Sequence, residues 1–261
     1  MGEKKKKKQG KKAAKKACET LLAGTDKGLA VASEAPAMVP DGLPAEEGYA
    51  WAGPEPLIAD AALRTYLSVL RTEVERHLTG HRLRHSLSVA RTAGRLAAVH
   101  GVDPFLATAA GLLHDWDKTK QLTPDDLWAK AERYGLVEGE RDPRMAPILH
   151  GWTAAASLPE TWDLPAEVFQ AISRHTIGAT DMSDLDIVVY VADMLEPQRG
   201  DDAEYWELRR LAQGDLRALF AACARQSCLW VIESGRYLYP EAIRVWNAYE
   251  PYLPDALRRG W

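Results

Sequence analysis

Apolar residues recur at intervals of three and four along most of the chain after residue 56, and this spacing constrains the fold more than any other feature. In DAALRTYLSVLRTEVERHL, the residues Leu63, Leu67, Leu70, Val74 and Leu78 form one such stripe. A stripe of this kind is typical of an amphipathic helix with one buried face. SLSVARTAGRLAAVHG repeats the pattern, and no internal repeat, glycine-rich phosphate loop or series of glycine-bounded strands is present. The sequence therefore predicts an all-α fold.

Capping residues indicate where several helices begin. Asp103 followed by Pro104 is typical of an N-cap and first helical residue, which places His114 near the end of that helix. Pro165 is expected to open PAEVFQAISRH, so that His175 falls in the last turn. The valines of DLDIVVYVADMLEP favour a strand, but this apolar run is longer than an average strand, and we predict a helix. Further helices are expected at about Ala203–Ala212, at Asp215–Ser234 and from Pro240 onward.

The N-terminal segment is strongly basic. Met1–Lys16 contains nine lysines against Glu3, whereas the whole chain has a net charge of -4. Like charges at this density cannot pack, so residues 1–56 are predicted to form a disordered Lys-rich tail and an Ala/Pro linker, and residues 57–261 the folded domain. The tail either keeps the protein soluble or makes non-specific electrostatic contact with RNA, ribosomes or an anionic surface.

Composition also bears on localisation. No apolar run approaches the roughly 20 residues of a membrane helix, and the N-terminus lacks the apolar core of a secretory signal. Cys18, Cys223 and Cys228 form neither a disulfide framework nor a CxxC pair. We therefore expect a cytoplasmic protein without a transmembrane segment.

The seven histidines fall into two groups. His77 and His81 lie in a polar connector and His100 at a helix end, so these three are predicted to be surface or capping residues. The other four lie beside apolar residues, where a single histidine is usually a hydrogen-bonded core residue. These four are His85, His114, His150 and His175.

Two aspartates strengthen the case for a metal site. Asp115 follows His114 directly, and Asp193 lies inside an apolar helix with no basic residue within three positions. A buried aspartate costs several kcal/mol unless it is paired or bound to a cation. Histidines with carboxylates suit iron, manganese or zinc. Four histidines and two aspartates exceed what one catalytic ion with open positions needs, so two ions sharing one carboxylate are expected.

The order of these residues resembles that of the HD-domain metal-dependent phosphohydrolases. More narrowly, it is similar to the bacterial HD-domain hydrolases of symmetrical dinucleoside tetraphosphates, the YqeK family. The matching stretches are HRLRHSLSVA, GLLHDWDK, LHG, RHTIG and ADMLEPQR. The resemblance implies an HD-domain helical bundle.

The resemblance also implies a role for each candidate residue. One ion would be held by His85, His114, Asp115 and Asp193, and a second by His150 and His175, with Asp115 bridging the two. The ions are expected to be iron, with manganese as the alternative. Asp115 and Lys118 are the expected catalytic residues, and Lys118, Thr176, Gly178 and Arg199 the expected substrate-binding residues.

The sequence departs from the family pattern around two of these motifs. Trp152 follows LHG where a proline is usual, and Trp116 and Asp117 replace a small apolar pair. Asp117 is expected to be a solvated acid. These departures concern the substrate side and leave the six expected ligands in place.

The expected reaction is hydrolysis of diadenosine tetraphosphate to two ADP by a metal-activated bridging water. One alternative is another HD-domain phosphohydrolase, acting on a deoxynucleotide, a guanosine alarmone or a nucleoside monophosphate. Another is a non-enzymatic, RNA-docking helical protein with structural histidines. The sequence leaves open whether the chain forms a homodimer.

Overall fold

The computed structural model describes residues 58–200 and 202–258. The predicted tail and linker, with Cys18, lie outside the described residues, so the domain boundary near residue 57 stays a prediction. Cys223 and Cys228 are free thiols. Within the described ranges, no helix combines the length and apolar character that crossing a membrane requires.

The two described ranges contain ten α-helices and no β-strand, which confirms the predicted all-α fold. The helices are α1 Ala61–His77, α2 Gly80–His100, α3 Pro104–Leu113, α4 Pro124–Arg133, α5 Ala146–Ser157, α6 Ala166–Arg174, α7 Asp184–Leu195, α8 Ala203–Arg210, α9 Leu216–Glu233 and α10 Pro240–Tyr249. Short 3₁₀ turns lie at Pro143–Met145, Leu158–Glu160, Pro197–Arg199, Leu211–Gln213, Glu250–Tyr252 and Asp255–Leu257.

Side-chain caps begin the helices that matter for the site. The Asp103 carboxylate accepts from the backbone N–H of Phe105 at 2.7 Å, so α3 starts where the Asp-Pro pair predicts. Ser183 and Asp186 form a capping box at the start of α7, and the apolar run that follows is helical, as predicted. Asp186 also accepts a hydrogen bond from Arg174 at the end of α6, which ties the two helices together.

The core surrounds α3 and α7, whose apolar residues are almost all buried. Helix α3 packs against α1, α2, α6 and α7, while α5 packs against α4 and α6. Helices α2 and α3 approach so closely that a Cβ on Gly111 would lie 2.7 Å from the Cα of Ala90. Only glycine permits this approach, which brings the end of α3 against the part of α2 that carries His85.

Candidate metal centre

The six predicted metal ligands converge although they come from five separate helices. His85 lies on α2, His150 on α5 and Asp193 on α7, whereas His114 and His175 are the C-cap residues of α3 and α6. Asp115 follows His114 in the turn after α3, and five of the six residues are buried while the Asp193 side chain is 16% exposed. Their ligand atoms form three overlapping groups that could hold metal ions: His85, His114 and Asp115; His114, His175 and Asp193; Asp115, His150 and His175.

Three of the histidines are oriented by the backbone of their own helices. The Nδ1 atom of His114 lies 2.8 Å from the carbonyl of Gly111, and that of His175 lies 2.6 Å from the carbonyl of Ile172. His150 makes the same contact with Pro147 at 2.9 Å. Because a carbonyl can only accept, each Nδ1 carries a proton and donates it, and the Nε2 atom of each ring is directed toward the centre of the site.

The Nε2 atoms face one another in two pairs. Those of His150 and His175 lie 3.0 Å apart, and those of His85 and His114 lie 3.3 Å apart. Burial lowers the pKa of His114 to about 3 and that of His150 to about 4, so neither ring is charged near neutral pH. Each pair therefore contains one neutral ring, His114 or His150, that directs an Nε2 lone pair at its neighbour. A proton or a metal cation between the two nitrogen atoms stabilises such a contact, so the arrangement fits one cation at each pair.

Asp115 lies between the two histidine pairs. Its Oδ1 atom is 3.4 Å from the Nε2 atoms of both His114 and His150 and 3.6 Å from that of His175. Lys118 Nζ lies 3.0 Å from the same oxygen, yet within the described residues Oδ1 accepts no well-aligned hydrogen bond. Burial raises the pKa of the Asp115 carboxyl, but the surrounding histidines and Lys118 outweigh burial and hold this pKa well below its usual range. An ionised, buried and poorly satisfied carboxylate oxygen is a suitable bridging ligand.

His85 is oriented by a carboxylate that the sequence interpretation did not assign. Its Nδ1 atom lies 3.0 Å from Oε1 of Glu196, a residue that is 1% exposed, and its Nε2 atom lies 3.0 Å from Oδ1 of Asp193. Burial lowers the pKa of His85, but the hydrogen bonds to Asp193 and Glu196 outweigh it and raise this pKa to about 9. A carboxylate that orients a metal-binding histidine is common in metal sites. The Glu-Pro pair in ADMLEPQR marks Glu196 in the sequence but does not identify His85 as its partner.

Asp193 has a basic partner within the chain, in addition to any bound ion. The Arg199 guanidinium forms an ion pair with the Asp193 carboxylate, and its Nε donates to the Asp193 carbonyl at 2.8 Å. Arg199 is six residues from Asp193, beyond the three neighbours on each side that the sequence reasoning considered. The Arg199 side chain is 38% exposed. It can therefore also reach a ligand outside the site.

The remaining predicted substrate-side residues lie around the turn after α6. Thr176 lines a cavity together with Tyr190, Tyr237 and Tyr239. The Thr176 hydroxyl is buried and, among the described residues, has no hydrogen-bond partner. Gly178 adopts a φ of +84°, and a Cβ there would lie 3.1 Å from both Phe220 and Val245. Glycine at 178 thus permits the backbone turn.

The structure corrects the expectations for Asp117 and His77. Asp117 is only 3% exposed and accepts hydrogen bonds from Lys130 and Thr153, so it is not a solvated acid. His77 belongs to the last turn of α1, where its ring stacks on Trp116 at 3.8 Å, so it does not lie in a connector. His81 is in the first turn of α2 and is exposed. Sequence patterns could not reveal these contacts because the partners lie 13 to 39 residues apart.

This fold, with its histidine-aspartate cluster, is that of an HD-domain phosphohydrolase. The family model described as the HD domain matches residues 82–198. A solved structure from Clostridium acetobutylicum, a "predicted HD superfamily hydrolase involved in NAD metabolism", superposes with a TM-score of 0.64 at 30% identity and covers 70% of this chain and 96% of that one.

Two curated relatives indicate which HD-domain proteins this chain is similar to in sequence. The symmetrical bis(5'-nucleosyl)-tetraphosphatase of Staphylococcus aureus is 31% identical over 176 residues, which cover 64% of this chain and 86% of that protein. The probable nicotinate-nucleotide adenylyltransferase/Ap4A hydrolase of Mycoplasma pneumoniae is 32% identical over 157 residues, which cover 58% of this chain and 44% of that longer protein. The chain belongs to the HD-domain family that includes the bacterial symmetrical bis(5'-nucleosyl)-tetraphosphatases.

Proposed function

We propose that the protein hydrolyses symmetrical dinucleoside tetraphosphates at the central bridge, so that diadenosine tetraphosphate and water give two ADP. The observation that carries this proposal is the pairing of Nε2 atoms on either side of Asp115, at 3.0 Å for His150 and His175 and at 3.3 Å for His85 and His114. The names of the curated relatives support this substrate.

The proposal assigns one ion to His85, His114, Asp115 and Asp193 and a second to His150 and His175, with Asp115 shared. Two divalent ions, iron with manganese as the alternative, would supply a water of lowered pKa and positive charge for the phosphate oxygens. Nitrogen donors together with carboxylates suit such ions better than calcium or magnesium.

The protein itself contributes positive charge at the edge of the buried cluster. Lys118, Arg82 and Arg199 have side chains that are 26%, 47% and 38% exposed, and each contacts a carboxylate of the cluster. Once cations neutralise those carboxylates, these three side chains can turn toward a bound polyphosphate. Interactions that strengthen as negative charge builds up on the phosphate oxygens lower the barrier to hydrolysis.

The other proposed substrate contacts lie beside the second histidine pair. Thr176 follows His175 directly, and its hydroxyl has no hydrogen-bond partner among the residues that the structure describes. Thr176 is proposed to hydrogen-bond the substrate through its hydroxyl. Gly178 permits the backbone turn that positions this loop. Tyr237 and Tyr239, which line the same cavity, provide aromatic rings of the kind on which nucleobases stack.

Untagged protein loaded with Mn²⁺ or Fe²⁺ and incubated with a nucleotide panel tests the proposal. The panel contains diadenosine tetraphosphate, a deoxynucleoside triphosphate, a guanosine alarmone and a nucleoside monophosphate. We expect ADP as the sole product from diadenosine tetraphosphate, and no turnover by the Asp115→Ala variant. Formation of AMP with ATP, or preference for another member of the panel, would contradict the proposed substrate.

Membership of a hydrolase family argues against the non-enzymatic alternative. RNA or ribosome contact by the tail, homodimer formation and cytoplasmic localisation stay predictions.

A further inference from the structure

Asp117 is a buried acid that the proposed chemistry does not use. Its carboxylate accepts from Lys130 Nζ at 2.6 and 2.9 Å and from Thr153 Oγ1 at 2.6 Å. The Asp117 side chain is 2% exposed and that of Lys130 is 22% exposed, while Thr153 is fully buried. Three separate segments, the turn after α3, helix α4 and helix α5, therefore meet at one carboxylate.

The location of this carboxylate relates it to the metal centre. Asp117 is two residues after Asp115 in the turn that also carries Lys118, and Lys118 N–H donates to the Asp115 carbonyl at 2.9 Å. Thr153 is three residues after His150 on α5, so its side chain lies on the same side of that helix one turn further on. The Thr153–Asp117 hydrogen bond thus connects the turn that carries the bridging aspartate to the helix that carries a ligand of the second ion.

The two halves of the centre differ in how they are held. His85, His114 and Asp193 lie on α2, α3 and α7, which pack directly against one another. His150 lies on α5, which packs against α4 and α6, and Asp117 reaches both α4 and α5. The distance of 3.4 Å between His150 Nε2 and Asp115 Oδ1 therefore depends on how the turn is tied to α5.

The other side of the turn is held as well. The His77 ring stacks on Trp116 at 3.8 Å with an interplanar angle of 10°, and His77 Nε2–H donates to the Trp116 carbonyl at 2.8 Å. The turn of residues 115–118 is therefore held by contacts with α1 on one side and with α4 and α5 on the other. Such positioning from outside the ligand set is needed because a shift of about 1 Å in a reacting geometry can cost about 100-fold in rate.

We propose that Asp117 is a positioning residue that holds Asp115 in register with His150, so that the second ion, the one shared by Asp115, His150 and His175, binds. This inference rests on the two-ion assignment made above. Loss of Asp117 should therefore weaken binding of the second ion more than that of the first. The other ligands of the first ion are carried by helices that Asp117 does not contact.

Equilibrium dialysis against Mn²⁺, with the melting temperature of each metal-free protein measured in parallel, tests this inference. The unmodified protein should bind two ions per chain. Asp117→Ala and the nearly isosteric Thr153→Val should each weaken the second ion by about 10- to 100-fold and weaken the first ion much less, because its other ligands stay in place. Asp117→Asn, which keeps an acceptor for Thr153, should retain both ions.

Glu132→Ala is the matched control, since Glu132 lies on α4 like Lys130 but forms only an exposed ion pair with Arg141, which lies beyond that helix. It should bind two ions with unchanged affinity. If Thr153→Val binds both ions normally, or if both ions weaken equally as the melting temperature falls, Asp117 is only structural and the inference is overturned. Thr153→Val decides the matter if Asp117→Ala does not fold. Fewer than two ions on the unmodified protein would instead refute the two-ion assignment, and this inference with it.

Discussion

The Nε2 atoms of His150 and His175 lie 3.0 Å apart, although each ring uses its Nδ1 proton to donate to a backbone carbonyl. The His150 ring is neutral near pH 7 and directs its Nε2 lone pair at His175 inside the protein. A proton or a metal cation between the two nitrogen atoms stabilises this contact, and the Asp115 carboxylate beside it adds negative charge. The geometry therefore suits a bound cation.

Replacing Lys118 should separate substrate turnover from metal binding. Lys118 contacts Asp115 but is not a proposed ligand, so Lys118→Ala should keep two ions per chain while kcat/KM falls by about 10²- to 10³-fold. Steady-state kinetics with metal analysis provide the measurement. Lys120→Ala, an exposed lysine two residues further on, is the control and should behave like the unmodified protein. Loss of metal in Lys118→Ala would show that Lys118 supports the site itself.

Glu196→Gln should weaken metal binding through His85. The Glu196 carboxylate accepts from His85 Nδ1–H and orients the ring, so its loss should lower the affinity of the first ion by about 10- to 100-fold. Titration with Mn²⁺ measures this change. Glu233→Gln, at the last residue of α9, is an exposed control. Unchanged affinity in Glu196→Gln would mean that the packing of α2 alone positions His85.

The stability of the metal-free protein should depend on His85. Its pKa is raised from 6.5 to about 9 in the folded state, so its stabilising contribution is fully present below pH 6.5 and is lost as the pH rises through 9. The loss should reach about 3 kcal/mol in the free energy of unfolding. Denaturant unfolding at a series of pH values, compared with His85→Gln, isolates this contribution. Parallel pH profiles for the two proteins would contradict it.

The predicted N-terminal boundary can be tested by truncation. The predicted ligands and substrate-binding residues all lie after residue 50, so deletion of residues 1–50 should leave kcat/KM nearly unchanged. Steady-state kinetics of the truncated chain measure this. A large loss of activity with intact metal content would show that the functional domain begins before residue 57.

Much of the fold could be predicted because its signals are local. The Asp103-Pro104 pair specifies the start of α3, and the three- and four-residue spacing identifies α1, since both depend only on neighbours in the sequence. The apolar run of α7 is helical for the same reason, with a capping box that begins it. The metal site could be predicted because several buried histidines and aspartates together suit few roles other than binding a metal ion, and their order along the chain resembles that of the HD-domain family.

The contacts that hold the ligands could not be predicted. The burial of Asp117 depends on Lys130 and Thr153, which come from two other helices, and a lone acid after a histidine-aspartate pair resembles a solvated one. Glu196 reaches His85 across 111 positions of sequence. Such pairs depend on how helices pack, which spacing within one helix does not encode.

Anomalous diffraction from crystals grown with Mn²⁺ tests the central claim most directly. We predict two manganese peaks per chain, one between His85 and His114 and the other between His150 and His175, with Asp115 in contact with both. No peak at these histidines, or a single peak that leaves one of the two pairs without an ion, would contradict the claim.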